Sequence, residues 1–300
     1  MSLAANPIGC VPIVWNNADQ PELAPKAPVE EILDAFVRLG YDGTQHGRGF
    51  AEGRVLADQL AQQGLRFAEL YSALPAGPDG LATAAEDLAR RDLARLVAAD
   101  GEVLVVACHG SPERDAISGR VASMDGAPRW PDEAFDRLAA LLAELAGAAP
   151  ATVRVAFHPH TATWIEAPDE VEALAARLPG TGAGLCLDVG HYLVGGGDPV
   201  EAIERYGSLV THIHAKDVDP DVLGRLRSGE LDGFGGGVRE RIFTELGNGA
   251  LDLAGVVGAL DRVGYAGWLM VEQDSSWLPA AEAAAVGKRV LDYALRELDR

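Results

Sequence analysis

One rhythm repeats along the chain. An amphipathic segment closes on a glycine, and a short apolar run follows. The glycines are Gly40, Gly64, Gly101, Gly147, Gly180, Gly207 and Gly264. A glycine just past a helix takes the left-handed conformation that ends the last turn. The runs behind them, residues 41–45, 65–71, 102–108, 153–157, 183–187, 209–215 and 268–272, read as strands buried on both faces. An eighth run, 8–15, opens the chain. The segments 28–39, 84–97, 132–145, 168–178, 253–263 and 279–298 carry the 3.6-residue spacing of half-buried helices. Pro28 suits a first helical position, and Asp198-Pro199-Val200-Glu201 supplies a cap, a first-turn proline and a carboxylate three residues past the cap.

Eight strands alternating with eight helices predict the α/β class and a single (β/α)8 TIM barrel over residues 1–300. The rival, an open doubly wound sheet, lacks a G-x-G-x-x-G after the first strand. One stretch breaks the rhythm. Residues 219–249 form a long insertion with Gly233, Gly235, Gly236 and Gly237. Residues 221–227 read as a short helix, and the rest as a loop over the barrel mouth or a solvated surface insertion.

Composition narrows the partners. The net charge of −20 repels phosphate backbones and so opposes a nucleic-acid partner. No apolar run reaches the roughly 18–20 residues of a membrane helix, and the N-terminus lacks the pattern of a signal peptide. The expectation is a cytoplasmic protein with no membrane partner. Cys10, Cys108 and Cys186 all sit in strand-like runs with no C-x-x-C pair, so they read as buried free thiols. Homo-oligomerisation through exposed helices is open to a barrel of this kind, although no helix carries an obvious self-complementary patch.

Barrels of this kind put chemistry on the loops that leave the C-terminal strand ends. All seven histidines fall there by this reading: His46 after strand two, His109 after four, His158 and His160 after five, His191 after six, and His212 and His214 at the end of seven. Asp188 and Glu272 end strands six and eight. A carboxylate ending an apolar strand needs a partner, and one cation satisfies several at once. Asp188, His214 and Glu272 come from consecutive strands, and His158 holds the matching position on strand five. Mixed histidine and carboxylate ligands suit one divalent Mn, Co, Zn or Fe better than Ca. Lys216, one of three lysines, stands at the end of strand seven, where it would hold a substrate oxygen or stabilise an enolate, or simply pair with Asp217. Trp15, Trp164 and Trp277 follow strands one, five and eight and offer flat faces to sugar C–H groups, or serve packing alone.

The order Asp188-Val189-Gly190-His191, His212-Ile213-His214-Ala215-Lys216-Asp217, Gly247-Asn248-Gly249 and Gly264-Tyr265-Ala266-Gly267-Trp268 running into Glu272 resembles the xylose-isomerase-like barrel superfamily. That group includes sugar epimerases and isomerases, inosose dehydratase and endonuclease IV. The resemblance implies metal-ligand positions for Asp188, His214 and Glu272 and a substrate-contacting position for His191. The epimerases carry a glutamate as strand-five ligand, and His158 stands in its place. The turn from His158 to Thr163 and the earlier Tyr41-Asp42-Gly43-Thr44 look more like inosose dehydratase, with Gln45 where a carboxylate is expected.

The function expected is a divalent-metal-dependent isomerase, epimerase or dehydratase of a small-molecule keto-polyol, keto-sugar or inosose, acting through an enediolate in sugar metabolism. Glu272, His191 and Lys216 are its expected catalytic residues. His160, His109, Asp217, Trp15 and Trp277 are its expected substrate contacts. The alternatives are a sugar-binding barrel without turnover and a DNA-repair endonuclease, the latter opposed by the acidic charge.

Overall fold

The computed structural model describes residues 2–17, 20–24 and 26–298. Among these, eight parallel strands close into a barrel: β1 (Ile8–Cys10), β2 (Gly43–Gln45), β3 (Arg66–Leu74), β4 (Val103–Cys108), β5 (Arg154–Phe157), β6 (Gly184–Asp188), β7 (Val210–Ala215) and β8 (Leu269–Val271). Strands pair in chain order, and β1 closes on β8 with Ile8 opposite Leu269. Eight helices surround them: α1 (Val29–Leu39), α2 (Gly53–Gln62), α3 (Ala85–Ala98), α4 (Asp132–Ala148), α5 (Pro168–Ala175), α6 (Pro199–Tyr206), α7 (Leu253–Arg262) and α8 (Ala280–Leu298). The TIM barrel read from the sequence is therefore the fold. No helix among the described residues is long and apolar enough to cross a membrane. The three cysteines are buried and free.

Local chemistry explains most boundaries. Asp198 caps α6 by accepting the N–H groups of Val200 and Glu201. Five of the seven marker glycines have positive φ, from 52° at Gly207 to 84° at Gly180. The other two differ. Asp100 takes the left-handed turn before Gly101, and Gly147 lies inside α4. The first strand stops at Cys10 rather than continuing to residue 15. Pro12, which has no N–H to donate to the sheet, opens a 3-10 turn over Pro12–Val14.

Alternation along the strands decides what faces the barrel axis. Phe157, Leu185, Leu187, Ile213, Leu269 and Val271 pack outward in the core beneath the helices. The residues between them, Ala156, Cys186, His212, His214 and Met270, have the opposite parity and face inward. Continuing that parity by one step brings in His158, Asp188, Lys216 and Glu272. Backbone bonds extend the ladder that far: the His158 amide donates to Val106, and the Glu272 amide to Ala215.

The stretch expected to be a loop beyond residue 227 is largely structured. After a helix at Pro220–Ser228, the glycine-rich segment Gly233–Arg239 forms a second short helix, and Asp217–Val218 pairs with Phe243–Thr244. Glycine has poor helix propensity, so packing carries this helix. Phe234, Val238 and Ile242 bury against Val222 and Leu226, and the Gly235 amide donates to Asp115 at 3.0 Å.

The loops behind β4 and β5 are tied by a buried ion pair. Arg114 donates to both oxygens of Glu170, at 2.8 and 2.7 Å. Glu170 also accepts the amides of Glu166 and Ala167. Glu170→Gln should lower the unfolding free energy by about 3–5 kcal/mol, because it strands a buried guanidinium. Asp169→Asn, which loses only an exposed contact with Arg129, should cost under about 1 kcal/mol. Urea unfolding midpoints of the two variants test the difference.

Candidate functional site

The inward-facing ends of β5 to β8 meet at one point in the mouth. One ligand atom each from His158, Asp188, His214 and Glu272 lies within 4.8 Å of the other three. His214 Nδ1 is 2.5 Å from Glu272 Oε2 and 3.8 Å from Asp188 Oδ2, and His158 Nε2 is 3.8 Å from the same aspartate oxygen. Asp188 Oδ2, His214 Nδ1 and Glu272 Oε2 are buried with no hydrogen-bond partner among the described residues. Unpaired buried acceptors are costly, and these three face one another.

The two imidazoles are set to present lone pairs. His158 Nδ1 lies 2.9 Å from the Pro159 carbonyl, which only accepts, so the proton sits there and Nε2 is free. His214 Nε2 lies 2.9 Å from Glu69 Oε2, which leaves Nδ1 for the centre. Burial, with the charges of His214 and His160, holds His158 well below the ordinary histidine range. For His214 burial acts in the same direction, but Cys186, Glu69 and Glu272 outweigh it and pull the group well above that range, so a cation would have to displace a proton from Nδ1 to use that lone pair.

Lys216 stands behind the cluster, fully buried. Its Nζ is 3.3 Å from Asp188 Oδ2, 3.0 Å from Glu272 Oε1 and 2.9 Å from Asp274 Oδ1. Against the cost of burial, these carboxylates hold the ammonium well above the ordinary lysine range. Burial lifts Asp274 to about 7 despite the lysine beside it. Burial likewise opposes the Glu272 charge, but Lys216 and His214 keep its carboxyl well below the ordinary range. Gly190 makes this packing possible, since a Cβ there would stand 2.9 Å from the Lys216 carbonyl. Asp188, Glu272 and Asp274 thus surround a single ammonium, and a divalent cation fits both the excess negative charge and the atoms without a hydrogen-bond partner.

A cavity of about 430 Å³ opens beside the cluster. Glu272, His158, His160 and Asp274 border it, with Asn17 and His109 on other walls and Phe234 of the glycine-rich helix overhead. His191 does not border it. It lies in a short helix, Val189–Val194, where the sequence reading had no helix. Its Nε2 is 3.1 Å from Lys216, its Nδ1 is 2.7 Å from the Thr161 hydroxyl, and its ring stacks on His160 at 3.8 Å.

Three expected substrate contacts fall elsewhere. Trp15 is 5% exposed and packs edge-on against Phe36 in the core. Trp277 is 75% exposed under Arg241, outside the cavity wall. Asp217 turns its carboxylate to the backbone, taking N–H groups from Val218, Gly247, Gly249 and Leu251 at 2.8–3.0 Å. It shapes the loop and does not face the cavity. Glu69 and Asp274 were missed, and His212 was placed at a strand end without a role. Strand parity with His214 and Glu272 was the signal that would have singled out His212 and Asp274, whereas Glu69 sits mid-strand across the barrel.

The sequence pattern of the xylose isomerase-like TIM barrel matches residues 33–294, and the chain belongs to that family. It is 34% identical over 289 residues to the rhizopine catabolism protein MocC of Rhizobium meliloti, covering 91% of this chain and 83% of that one. It is 30% identical over 290 residues to an inosose dehydratase of Lacticaseibacillus casei, covering 95% and 96%. Among solved structures, the IOLI protein with a bound zinc atom superposes with a TM-score of 0.69 at 15% identity, covering 97% of this chain and 98% of that one.

Asp217→Asn should act on stability alone. It places an amide among backbone donors and should cost about 2–3 kcal/mol of unfolding free energy. Its affinity for Co²⁺, measured by chelator competition, should match that of the unmodified protein.

Proposed function

We propose that this protein is a divalent-cation-dependent enzyme that removes water from an inosose or a closely related keto-polyol. The observation that carries the reading is the convergence of Asp188 Oδ2, His214 Nδ1 and Glu272 Oε2, buried and without a hydrogen-bond partner among the described residues, beside an open cavity. His158, Asp188, His214 and Glu272 would hold the cation. When bound, it acidifies the carbon next to a ketone by drawing charge from the ketone and its neighbouring hydroxyl. The whole-length similarity to an inosose dehydratase supports water loss from an inosose, and the zinc atom bound in the IOLI protein structure supports the reading that this fold can hold a divalent cation.

The chain's own groups supply the proton movements. Glu272 borders the cavity and takes the proton from the acidified carbon. Lys216 holds the other Glu272 oxygen, at 3.0 Å, and so fixes its aim. Asp274 and His160 border the same cavity; burial lifts Asp274 to about 7 and lowers His160 to about 4, so Asp274 is the group placed to give a proton to the departing β-hydroxyl. The hydroxyl leaves as water with the proton given by the acid, Glu272 then passes the α-proton through solvent back to that acid, and the net change is loss of one water with no oxidant or reductant. His191 acts from behind, orienting Lys216 and stacking under His160. The wall includes the hydrogen-bonding side chain of Gln45, suited to a neutral polyol.

The test is incubation with an inosose and Mn²⁺ or Co²⁺. Dehydration gives a product lighter by one water with the ultraviolet absorbance of a conjugated enone or enol. A product of unchanged mass would replace dehydration by epimerisation or isomerisation. Glu272→Gln should keep the fold and lose about 10²–10⁴ in kcat. Trp277→Ala, remote from the cavity, should leave kcat/KM unchanged, and steady-state kinetics on both variants check this.

A further inference from the structure

Beneath the proposed cation site lies a second cluster that the reaction does not use. Glu69 projects from β3, across the barrel from β7, and is completely buried. One of its oxygens, Oε2, bonds both His214 Nε2, at 2.9 Å, and His212 Nε2. Its other oxygen and His212 Nδ1 have no hydrogen-bond partner among the described residues. A buried carboxylate with two imidazole donors costs more than a well-packed apolar side chain would. Inward positions near this depth are otherwise apolar, among them Val105, Ala156, Cys186 and Met270. Packing therefore gives no reason for a glutamate and a histidine here.

Tautomer control gives one. An ionised carboxylate only accepts, so each imidazole facing Glu69 keeps its proton on Nε2. In His214 that leaves the Nδ1 lone pair aimed between Asp188 and Glu272. With the proton on Nδ1 instead, the ring would present an N–H to the cation. We propose that Glu69 is the positioning residue of the cation site, fixing His214 in the Nε2–H form, and that His212 holds Glu69 in place. The inference rests on the reading that Asp188, His214 and Glu272 bind a divalent cation. It assigns the opposite tautomer to His158, whose Nδ1 donates to the Pro159 carbonyl.

Two measurements test it. The first needs no variant and no metal. Long-range ¹H–¹⁵N correlation spectra of ¹⁵N-histidine-labelled, cation-free protein should show His214 protonated at Nε2, and a His214 ring protonated at Nδ1 alone would overturn the proposal. The second is Co²⁺ affinity by chelator competition. Glu69→Gln, nearly isosteric, should keep the circular dichroism spectrum and lose about 10–100-fold in affinity. Glu69→Asp, which keeps the charge on a shorter arm, should fall between. If Glu69→Gln does not fold, His212→Phe carries the test and should also bind Co²⁺ more weakly. Affinity unchanged in the folded variants would overturn the role of Glu69. Failure of the unmodified protein to bind Co²⁺ would instead overturn the cation site itself, whatever the tautomer.

Discussion

Three carboxylates, Asp188, Glu272 and Asp274, converge inside the barrel mouth around one ammonium, that of Lys216, and a fourth, Glu69, is buried against His212 and His214. Most features of the site answer that imbalance. Lys216 is buried because three of the acids enclose it, and those acids hold its charge against desolvation. His212 and His214 supply the hydrogen-bond donors for Glu69, and burial, outweighed by the two imidazoles, leaves its carboxyl at about 2. What remains is the point between Asp188, His214 and Glu272, where three buried atoms have no hydrogen-bond partner among the described residues and Lys216, 3.3 Å from the aspartate oxygen, brings positive charge. A divalent cation is the simplest chemical completion of that arrangement.

The barrel makes this convergence cheap. Parallel strands of one parity deliver alternate side chains to the axis, and neighbouring strand ends lie a single hydrogen-bond ladder apart. Asp188 stands opposite His214 in the register, and Met270 pairs with His214 two residues before Glu272. No loop has to be trained into place for these ligands. Loops do other work. Asp217 gathers the turn around Gly247 and Gly249, Arg114 and Glu170 join the loops behind β4 and β5, and the glycine-rich helix with Phe234 covers the cavity.

Much of this was legible in the sequence, and the reasons are specific. Doubly apolar runs separated by helix patterns fixed the strand count, because both strand faces are covered by protein. Strand order and matching strand-end positions identified Asp188, His214, Glu272 and His158 as neighbours in space. Two kinds of feature were not legible. The Gly233–Arg239 helix forms through tertiary packing against local propensity, so glycines read as a loop. Side-chain direction just beyond a strand end is also invisible to spacing. Asp217 turns to backbone amides, Trp15 into the core and Trp277 into solvent, although all three follow strands. Glu69 escaped notice because it sits mid-strand, where a sequence reading expects packing, and its partners come from the far side of the barrel.

The central claim is that the mouth cluster binds a catalytic cation, and metal content tests it most directly. Elemental analysis of protein purified without chelator should find about one equivalent of Mn, Co, Zn or Fe per chain. The Asp188→Ala, His214→Ala variant, folded by circular dichroism, should lose it. A protein that carries no cation and takes none up on addition, or a double variant that keeps its metal, would contradict the account.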